Sequence, residues 1–244
     1  MSDAALLAVD GVHAAYQSGV DILQGLSLAV RPKGVTLVIG PNGAGKSTLL
    51  RTVFGFLKPH RGTVRFRGDS IEGLQPYEIK TRGISYVPQE INTFPHLTIE
   101  ENLRMGGWTF RKDKGMLRRQ LDKLYEIFPV LAERRKSRAG DLSGGQGRML
   151  SVAREMMTDP QLMLVDEPTV GLSPNLVDQV YELLMTARKS IGTTILLVDQ
   201  NIEDAIRYAD HVYMVNLGRI KAEGPAGEFG AERIRDLIQE CLLG

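Results

Sequence analysis

Nine consecutive residues near the start of the chain have the types and spacing that bind phosphate groups. They are Gly40, Pro41, Asn42, Gly43, Ala44, Gly45, Lys46, Ser47 and Thr48. They match the pattern G-x-x-x-x-G-K-[ST] of phosphate-binding loops, and they follow a short apolar run as that pattern requires. Glycines let the backbone turn its N–H groups inward around phosphate oxygens, and the dipole of a following helix adds positive potential.

Two side chains of this segment predict the chemistry at the phosphates. Lys46 should reach the β- and γ-phosphates, and the hydroxyl of Ser47 should be a ligand of Mg²⁺. The alternative is a glycine-rich turn that joins a strand to a helix and binds nothing. By itself the pattern indicates nucleotide binding and names neither ATP nor a task.

A pair of carboxylates follows a second apolar run, as Asp166 and Glu167. Open α/β sheets bind their ligands at the carboxyl ends of strands. We expect Asp166 to help hold Mg²⁺ and Glu167 to orient and deprotonate the attacking water. Alternatively, the pair only begins a polar loop, but the upstream phosphate-binding pattern favours the functional interpretation.

The segments that must position these residues alternate between strand and helix patterns. Short apolar runs at 35–39, 162–165 and 194–198 predict central strands that are covered on both faces. Residues 6–16 and 21–30, joined by a turn around Ser18 and Gly19, together with 63–66, predict a flanking antiparallel sheet. We therefore expect an α/β protein.

The middle and the end of the chain have different patterns. From about Gly83 to Thr158 the sequence is helical and highly charged, with an amphipathic helix predicted at 117–128. We interpret residues 90–158 as a helical subdomain inserted in a single domain that covers 1–244. Strands are predicted at 212–215 and 219–223, followed by a helix over 232–242.

Composition restricts the class of protein. The 30 basic and 29 acidic residues give a net charge of +1, so no global charge attracts nucleic acid. The longest apolar runs are much shorter than a membrane span. The segment from Met1 to Ala4 lacks the features of a secretory signal, and the single cysteine, Cys241, permits no internal disulfide, so we expect a cytoplasmic location.

Residues 142–146 read Leu142-Ser143-Gly144-Gly145-Gln146, and they complete a set of motifs that resembles the ATP-binding cassette (ABC) family. Ser143 is a good helix N-cap and the glycines expose backbone donors, so the segment could be a second anion-binding helix start or only a capped helix. The resemblance implies an ABC ATPase fold, consisting of a P-loop NTPase core sheet, a flanking antiparallel β subdomain and the inserted helices. It also implies that Ser143, Gly144, Gly145 and Gln146 close over ATP bound to the opposite subunit of a dimer.

Further residues match the family one at a time. Tyr16 corresponds to the aromatic residue that stacks on adenine, although a tyrosine at a strand end can also serve packing alone. Gln89 matches the glutamine that senses Mg²⁺ and the attacking water, and its alternative is a loop amide that faces solvent.

Two positions depart from the family pattern. Ser173 stands where an aspartate is usual, which weakens one expected contact across the dimer. Gln200 stands where a histidine normally contacts the γ-phosphate; its amide can donate a hydrogen bond but carries no charge near neutral pH. A degenerate, inactive site is one interpretation. We favour slow but real turnover, because Lys46, Ser47, Asp166 and Glu167 are retained.

The residues around these departures resemble the ATPases of branched-chain amino acid uptake systems, in particular the LivF-type subunit. The similar segments are 171–174, 198–201 and 94–103. The resemblance implies a Mg²⁺-dependent ATPase on the cytoplasmic face of the inner (plasma) membrane. Its partners would be transmembrane permease subunits, a sister ATPase or second copy, and indirectly an extracytoplasmic solute-binding protein, with no nucleic acid.

Two other functions remain open, namely a soluble ABC ATPase that acts as a conformational clamp, and a low-activity regulatory partner in a heterodimer.

The basic run at 133–138 is expected to be solvated surface. Trp108 and Phe94 could line a groove for a permease helix or simply pack in the core. The four histidines are scattered without ligand spacing, so the sequence predicts no zinc site.

Overall fold

The computed structural model describes residues 5–16 and 19–243. The segment from Met1 to Ala4 and Ser18 of the predicted turn lie outside the described residues. The strands are β1 Leu7–Ala14, β2 Leu23–Val30, β3 Val35–Ile39, β4 Arg61–Phe66, β5 Asp69–Ser70, β6 Ile84–Val87, β7 Leu162–Asp166, β8 Thr194–Val198, β9 His211–Asn216 and β10 Arg219–Pro225. The helices are α1 Lys46–Val53, α2 Pro76–Thr81, α3 Ile99–Gly106, α4 Lys114–Ile127, α5 Pro129–Glu133, α6 Gly144–Met156, α7 Pro174–Ile191, α8 Ile202–Ala205 and α9 Ala231–Leu243.

A six-stranded sheet forms the centre of the protein, in the order β10-β9-β3-β8-β7-β6. Its strands are parallel except β10, which pairs antiparallel with β9. All five residues of β3, of β7 and of β8 are buried, as expected for parallel strands that are covered on both faces. The parallel arrangement brings the carboxyl ends of β3, β8 and β7 to one edge of the sheet.

A second sheet, in the order β2-β1-β4-β5, is antiparallel throughout. The alternating pattern of residues 6–16 and 21–30 places one face of this sheet on a hydrophobic core shared with α1 and the central sheet. A second core lies on the other face of the central sheet, among α3 to α7. The predicted α/β fold with a flanking antiparallel sheet is therefore confirmed.

The middle of the chain differs in one respect from the sequence pattern. Residues 84–87, within the stretch that we expected to be helical from Gly83, form the edge strand β6 of the central sheet. All four of its residues are buried, but the run is too short for its period to distinguish a strand from a helix. Helices α3 to α6 follow it, with α3 packed on α6, and the insertion at 90–158 stays a prediction as a separate subdomain.

The close packing of α3 on α6 requires glycine at one point. A Cβ at Gly106 would lie 2.1 Å from the carbonyl oxygen of Arg154, so a larger residue would separate the two helices.

The predicted amphipathic helix at 117–128 is observed as α4, which begins slightly earlier, with an Asp113 N-cap. No helix within the described residues is long and apolar enough to cross a membrane.

Candidate functional site

The loop between β3 and α1 adopts a conformation that only glycine tolerates at two positions. Gly40 has φ +149°, and a Cβ there would lie 2.1 Å from the carbonyl oxygen of Val215. Gly45, the N-cap of α1, has φ +103°. These backbone angles turn the loop back over the start of the helix.

The first turn of α1 leaves its N–H groups available to an anion. Gly45 has no side chain to cap the helix, and the first turn contains no acidic residue. The first N–H groups of a helix have no acceptor within the helix, so they favour a bound phosphate together with the helix dipole. They face a cavity of about 350 Å³ lined by Ile22, Asn42, Gly43, Gly45, Lys46, Ser47, Thr48, Gln89, Glu167 and Gln200.

Lys46 lies almost fully buried at the base of this cavity. Its Nζ donates hydrogen bonds to the carbonyl oxygens of Gly40 at 2.9 Å and Pro41 at 3.1 Å, and it lies 3.8 Å from Oε1 of Glu167. Burial lowers the pKa of Lys46, and the nearby carboxylate of Glu167 opposes that shift. The ammonium group is therefore held by weak acceptors that a phosphate oxygen can replace.

Asp166, the last residue of β7, is held from two sides. Ser47 Oγ donates to its Oδ1 at 2.8 Å, and the hydroxyl of Tyr86 donates to its Oδ2 at 2.8 Å. Burial, with Asp166 next in importance, raises the pKa of Tyr86, which keeps the phenol protonated as a donor. A hydroxyl and a carboxylate in direct contact are the hard oxygen donors that Mg²⁺ prefers, so this pair fits a magnesium ion.

Tyr86 is a residue of this site that the sequence analysis did not identify. It lies in β6 opposite Leu164 of β7, and this register carries its ring toward the end of the neighbouring strand. A tyrosine within a short apolar run was the available signal, since a buried phenol needs a hydrogen-bond partner.

Glu167 follows Asp166 in a strained backbone conformation. Its φ is +42°, which is uncommon for a residue with a side chain, and its N–H donates to the carbonyl oxygen of Val198 at 2.8 Å. The carboxylate is buried, and Nε2 of Gln200 donates to Oε2 at 2.5 Å. Strain of this kind is concentrated at functional sites, and here it directs the carboxylate into the cavity.

A buried network around Asp199 fixes the position of Gln200. The Asp199 carboxylate accepts hydrogen bonds at 3.0 Å from the hydroxyls of Thr169 and Tyr181 and from the backbone N–H of Asn201. Burial raises the pKa of Asp199, and these donors counteract the shift. The network joins the loop after β7 to the loop after β8, and the sequence analysis did not anticipate it.

Gln89 lines the cavity from the segment that follows β6. The side chain of buried Arg148 on α6 donates to the carbonyl oxygen of Pro88 at 2.9 Å and to that of Gln89 at 2.5 Å. Arg154, also on α6, donates to the carbonyl oxygen of Asn92. The segment that carries Gln89 is therefore attached to α6, so a movement of either would be transmitted to the other.

The predicted second phosphate-binding segment lies at the start of α6, where Ser143 and Gly144 are exposed and Gly145 and Gln146 are half-buried. Ser143 caps the helix by accepting from the N–H of Gln146, whose Oε1 accepts from the Ser143 N–H and from Arg134. Arg134 belongs to the basic run 133–138, so part of that run has a structural role. Ser143, Gly144, Gly145 and Gln146 lie outside the set of residues that line the cavity of their own chain. Their contact with a partner's nucleotide stays a prediction.

The other predicted residues occupy the periphery of the site. Tyr16 is 52% exposed, and its hydroxyl accepts a hydrogen bond from Arg51 at 3.3 Å. Ser173 is exposed at the N-cap of α7 and makes no side-chain capping bond. Phe94 and Trp108 are exposed rather than packed in the core.

The sequence analysis expects the four histidines to be scattered, and the positions of two of them differ from that expectation. His13 and His60 lie together, and both contact Asp21. Their large separation along the chain concealed this proximity, which results from the pairing of β1 with β4.

Comparison with known proteins agrees with this geometry. The family described as "ABC transporter" matches residues 23–170, more than half of the chain. The chain is 40% identical over 205 residues to the "High-affinity branched-chain amino acid transport ATP-binding protein BraG" of Pseudomonas aeruginosa, covering 84% of this chain and 87% of the relative. It is 36% identical over 217 residues to the "Probable branched-chain amino acid transport ATP-binding protein LivF" of Archaeoglobus fulgidus, covering 89% and 91%.

A solved structure has the same architecture. The ADP conformation of MJ1267, an ATP-binding cassette of an ABC transporter, aligns with a TM-score of 0.83 at 29% identity, covering 99% of both chains. The phosphate-binding loop, the carboxylates after β7 and the extent of these matches support one assignment. The chain belongs to the ABC transporter family.

Proposed function

We propose that this chain binds and hydrolyses ATP as the energy-coupling subunit of an ABC importer for branched-chain or related amino acids. The observation that carries the proposal is that Lys46, Ser47 and Glu167 line one cavity at the start of α1, with Asp166 in contact with Ser47. The names of the relatives support the class of solute, and the geometry supports the chemistry.

The phosphate groups of ATP would bind to the loop of residues 40–48. Its backbone N–H groups would donate to the β- and γ-phosphate oxygens, and Lys46 would exchange its bonds to Gly40 and Pro41 for bonds to phosphate. Tyr16 would provide the surface on which adenine stacks.

Ser47 and Asp166 would hold a magnesium ion, with Gln89 contributing from the segment after β6. When bound, Mg²⁺ would neutralise part of the charge on the phosphate oxygens. Tyr86 would keep Asp166 oriented through its hydroxyl, which leaves Oδ1 directed toward Ser47.

Glu167 would act as the general base. Its carboxylate would take a proton from water as the water oxygen attacks the γ-phosphorus, and the bond from that phosphorus to the bridging oxygen of ADP would break. Because Gln200 occupies Oε2, Oε1 of Glu167 is the oxygen available for this proton. The Gln200 amide would also donate toward the γ-phosphate.

Residues 143–146 of a partner chain would complete the site. The exposure of Ser143 and Gly144 at the positive end of α6 suits contact with a phosphate outside their own chain. Two ATP molecules would then close a dimer, formed with a second copy or a sister ATPase. Hydrolysis would reopen it and move permease subunits on the cytoplasmic face of the inner (plasma) membrane, which an extracytoplasmic solute-binding protein supplies.

One observation favours a second function. Gln200 replaces the expected histidine, which would suit a regulatory partner of low activity in a heterodimer. Phosphate release by the isolated chain distinguishes the two, because a regulatory partner would bind ATP without turning it over.

Transport can be tested with proteoliposomes that contain this chain, the permease subunits and any sister ATPase encoded in adjacent reading frames, with the solute-binding protein added outside. We expect ATP inside the vesicles to drive uptake of labelled leucine, and Lys46→Ala to abolish it. Adjacent frames that encode repair or ribosomal proteins, or uptake that Lys46→Ala does not change, would contradict the proposal.

A further inference from the structure

Three side chains of metal-ligating type, none of them among the residues that line the nucleotide cavity, converge at one end of the antiparallel sheet. His13 is in β1, Asp21 lies just before β2, and His60 immediately precedes β4. Because β1 pairs with both β2 and β4, these positions come to the same end of the sheet. The fold therefore brings the three residues together regardless of their distance in sequence.

The atoms that could ligate a metal ion are close to one another. His13 Nδ1 lies 3.0 Å from Oδ2 of Asp21, and His60 Nε2 lies 3.3 Å from Oδ1. One ligand atom from each residue lies within 4.8 Å of the others. A tetrahedral zinc ion with bonds of about 2.0–2.1 Å would hold its ligand atoms roughly 3.3 Å apart, which is within the range of the spacings observed here.

The backbone around the cluster is fixed by hydrogen bonds. The N–H of His60 donates to the carbonyl oxygen of His13 at 3.0 Å, and the N–H of Ile22, next to Asp21, donates to Ala14 at 2.9 Å. Gly25 leaves room for one ring, since a Cβ there would lie 3.3 Å from His13 Nε2. The backbone positions of the three residues are therefore held in place before any ion binds.

Charge and exposure also suit a bound cation. The side chains of His13, Asp21 and His60 are 29%, 32% and 50% exposed, so an ion can reach them from solvent. In the described part of the chain, both ion-pair partners of Asp21 are histidines rather than lysine or arginine. A metal ion would thus not have to displace a fixed positive charge.

We propose that His13, Asp21 and His60 form a binding site for a zinc-class divalent ion, with water in the remaining position. Two imidazole nitrogens and one carboxylate oxygen suit Zn²⁺ or Co²⁺, whereas Mg²⁺ favours oxygen ligands alone. An ion bound here would fasten the connection between β1 and β2, which carries Tyr16, to the start of β4. His13, Asp21 and His60 lie outside the set of residues that line the nucleotide cavity.

The test is calorimetric titration of Zn²⁺ into the full chain, without a histidine tag and with excess Mg²⁺ to occupy oxygen-rich sites. Every protein carries Cys241→Ser, which removes the one thiol in the sequence. We expect one ion per chain. His60→Ala should weaken binding by at least about tenfold, and Asp21→Asn should do the same. His96→Ala, which removes an exposed histidine elsewhere, should leave the affinity unchanged.

Co²⁺ supplies a second readout, because its visible absorption reports tetrahedral coordination. His60 is half exposed, so its replacement should leave the fold intact, and circular dichroism checks this. No Zn²⁺ binding, or His60→Ala binding Zn²⁺ as tightly as His96→Ala, would overturn the proposal and leave a hydrogen-bonded His-Asp-His cluster.

Discussion

The side-chain amide of Gln200 donates a hydrogen bond to the carboxylate of Glu167, with Nε2 2.5 Å from Oε2. The two residues follow neighbouring strands, β8 and β7, and the buried Asp199 network holds the loops that carry them. A neutral amide thus restrains the carboxylate without contributing charge. The replacement of histidine changes the electrostatics at this end of the site and keeps a donor there.

We expect Gln200→Ala to lower the rate of ATP hydrolysis by a larger factor than it weakens ATP binding. Loss of the amide frees the Glu167 carboxylate to rotate, and misplacement by about 1 Å can cost up to roughly 100-fold in rate. Gln200→Glu should be worse, because two carboxylates would repel each other. Steady-state assays give kcat and KM, and a wild-type kcat for Gln200→Ala would refute this role.

The hydroxyl of Tyr86 is expected to stabilise the folded protein through Asp166. Tyr86→Phe removes the donor to a buried carboxylate, and this should lower the free energy of unfolding by about 1–3 kcal/mol. Tyr77→Phe is the matched control, since Tyr77 is 68% exposed. Urea denaturation measures both variants. Equal stabilities would mean that the hydrogen bond contributes nothing to folding.

The main residues of the site could be placed from sequence because two rules act together. Each motif directly follows an apolar strand, and parallel strands bring their carboxyl ends to one edge, so Lys46, Ser47, Asp166 and Glu167 had to approach one another. The fold class followed from the same alternation of strand and helix.

The side-chain contacts that hold these residues in position could not be predicted from the sequence pattern. The hydrogen bond from Tyr86 to Asp166 depends on the register of β6 against β7. Strand β6 itself lies in a stretch whose sequence pattern predicts helices. The contacts of Asp199 with Tyr181 and of His13 with His60 join positions far apart in the chain. Side-chain pairs of this kind depend on tertiary packing, which no local pattern records.

The stability of the protein should depend on pH through His211. Burial lowers the pKa of this imidazole from its ordinary value of 6.5. As the pH falls below that value, the unfolded chain takes up the proton first, so the folded state loses stability. In His211→Gln this contribution should vanish. Urea midpoints between about pH 5 and pH 8 test it, and identical pH dependence in both proteins would contradict the assignment.

The predicted contact across the dimer can be separated from folding at Gly144. A Cβ there meets no atom within 4 Å, and an acidic residue in the first turn of α6 suits the helix dipole. Gly144→Asp should therefore fold normally yet abolish ATP hydrolysis, because its carboxylate would repel the partner's γ-phosphate. Gly144→Ala is the control and should remain active.

Mixing two inactive variants sharpens this prediction. A dimer of Gly144→Asp with Lys46→Ala contains one site built from an intact phosphate-binding loop and an intact residue 144. We expect the mixture to recover part of the wild-type rate of phosphate release. If Gly144→Asp alone hydrolyses ATP normally, residues 143–146 do not complete the site.

Phosphate release from ATP by the wild-type chain and by Glu167→Gln tests the central claim most directly. The substitution keeps the shape of the side chain and removes the general base, so the wild type should exceed the variant by at least about 100-fold in kcat. Both proteins should bind ATP, as measured by equilibrium dialysis. Equal rates in the two proteins would contradict the role of Glu167 and the account of this site as an ATPase.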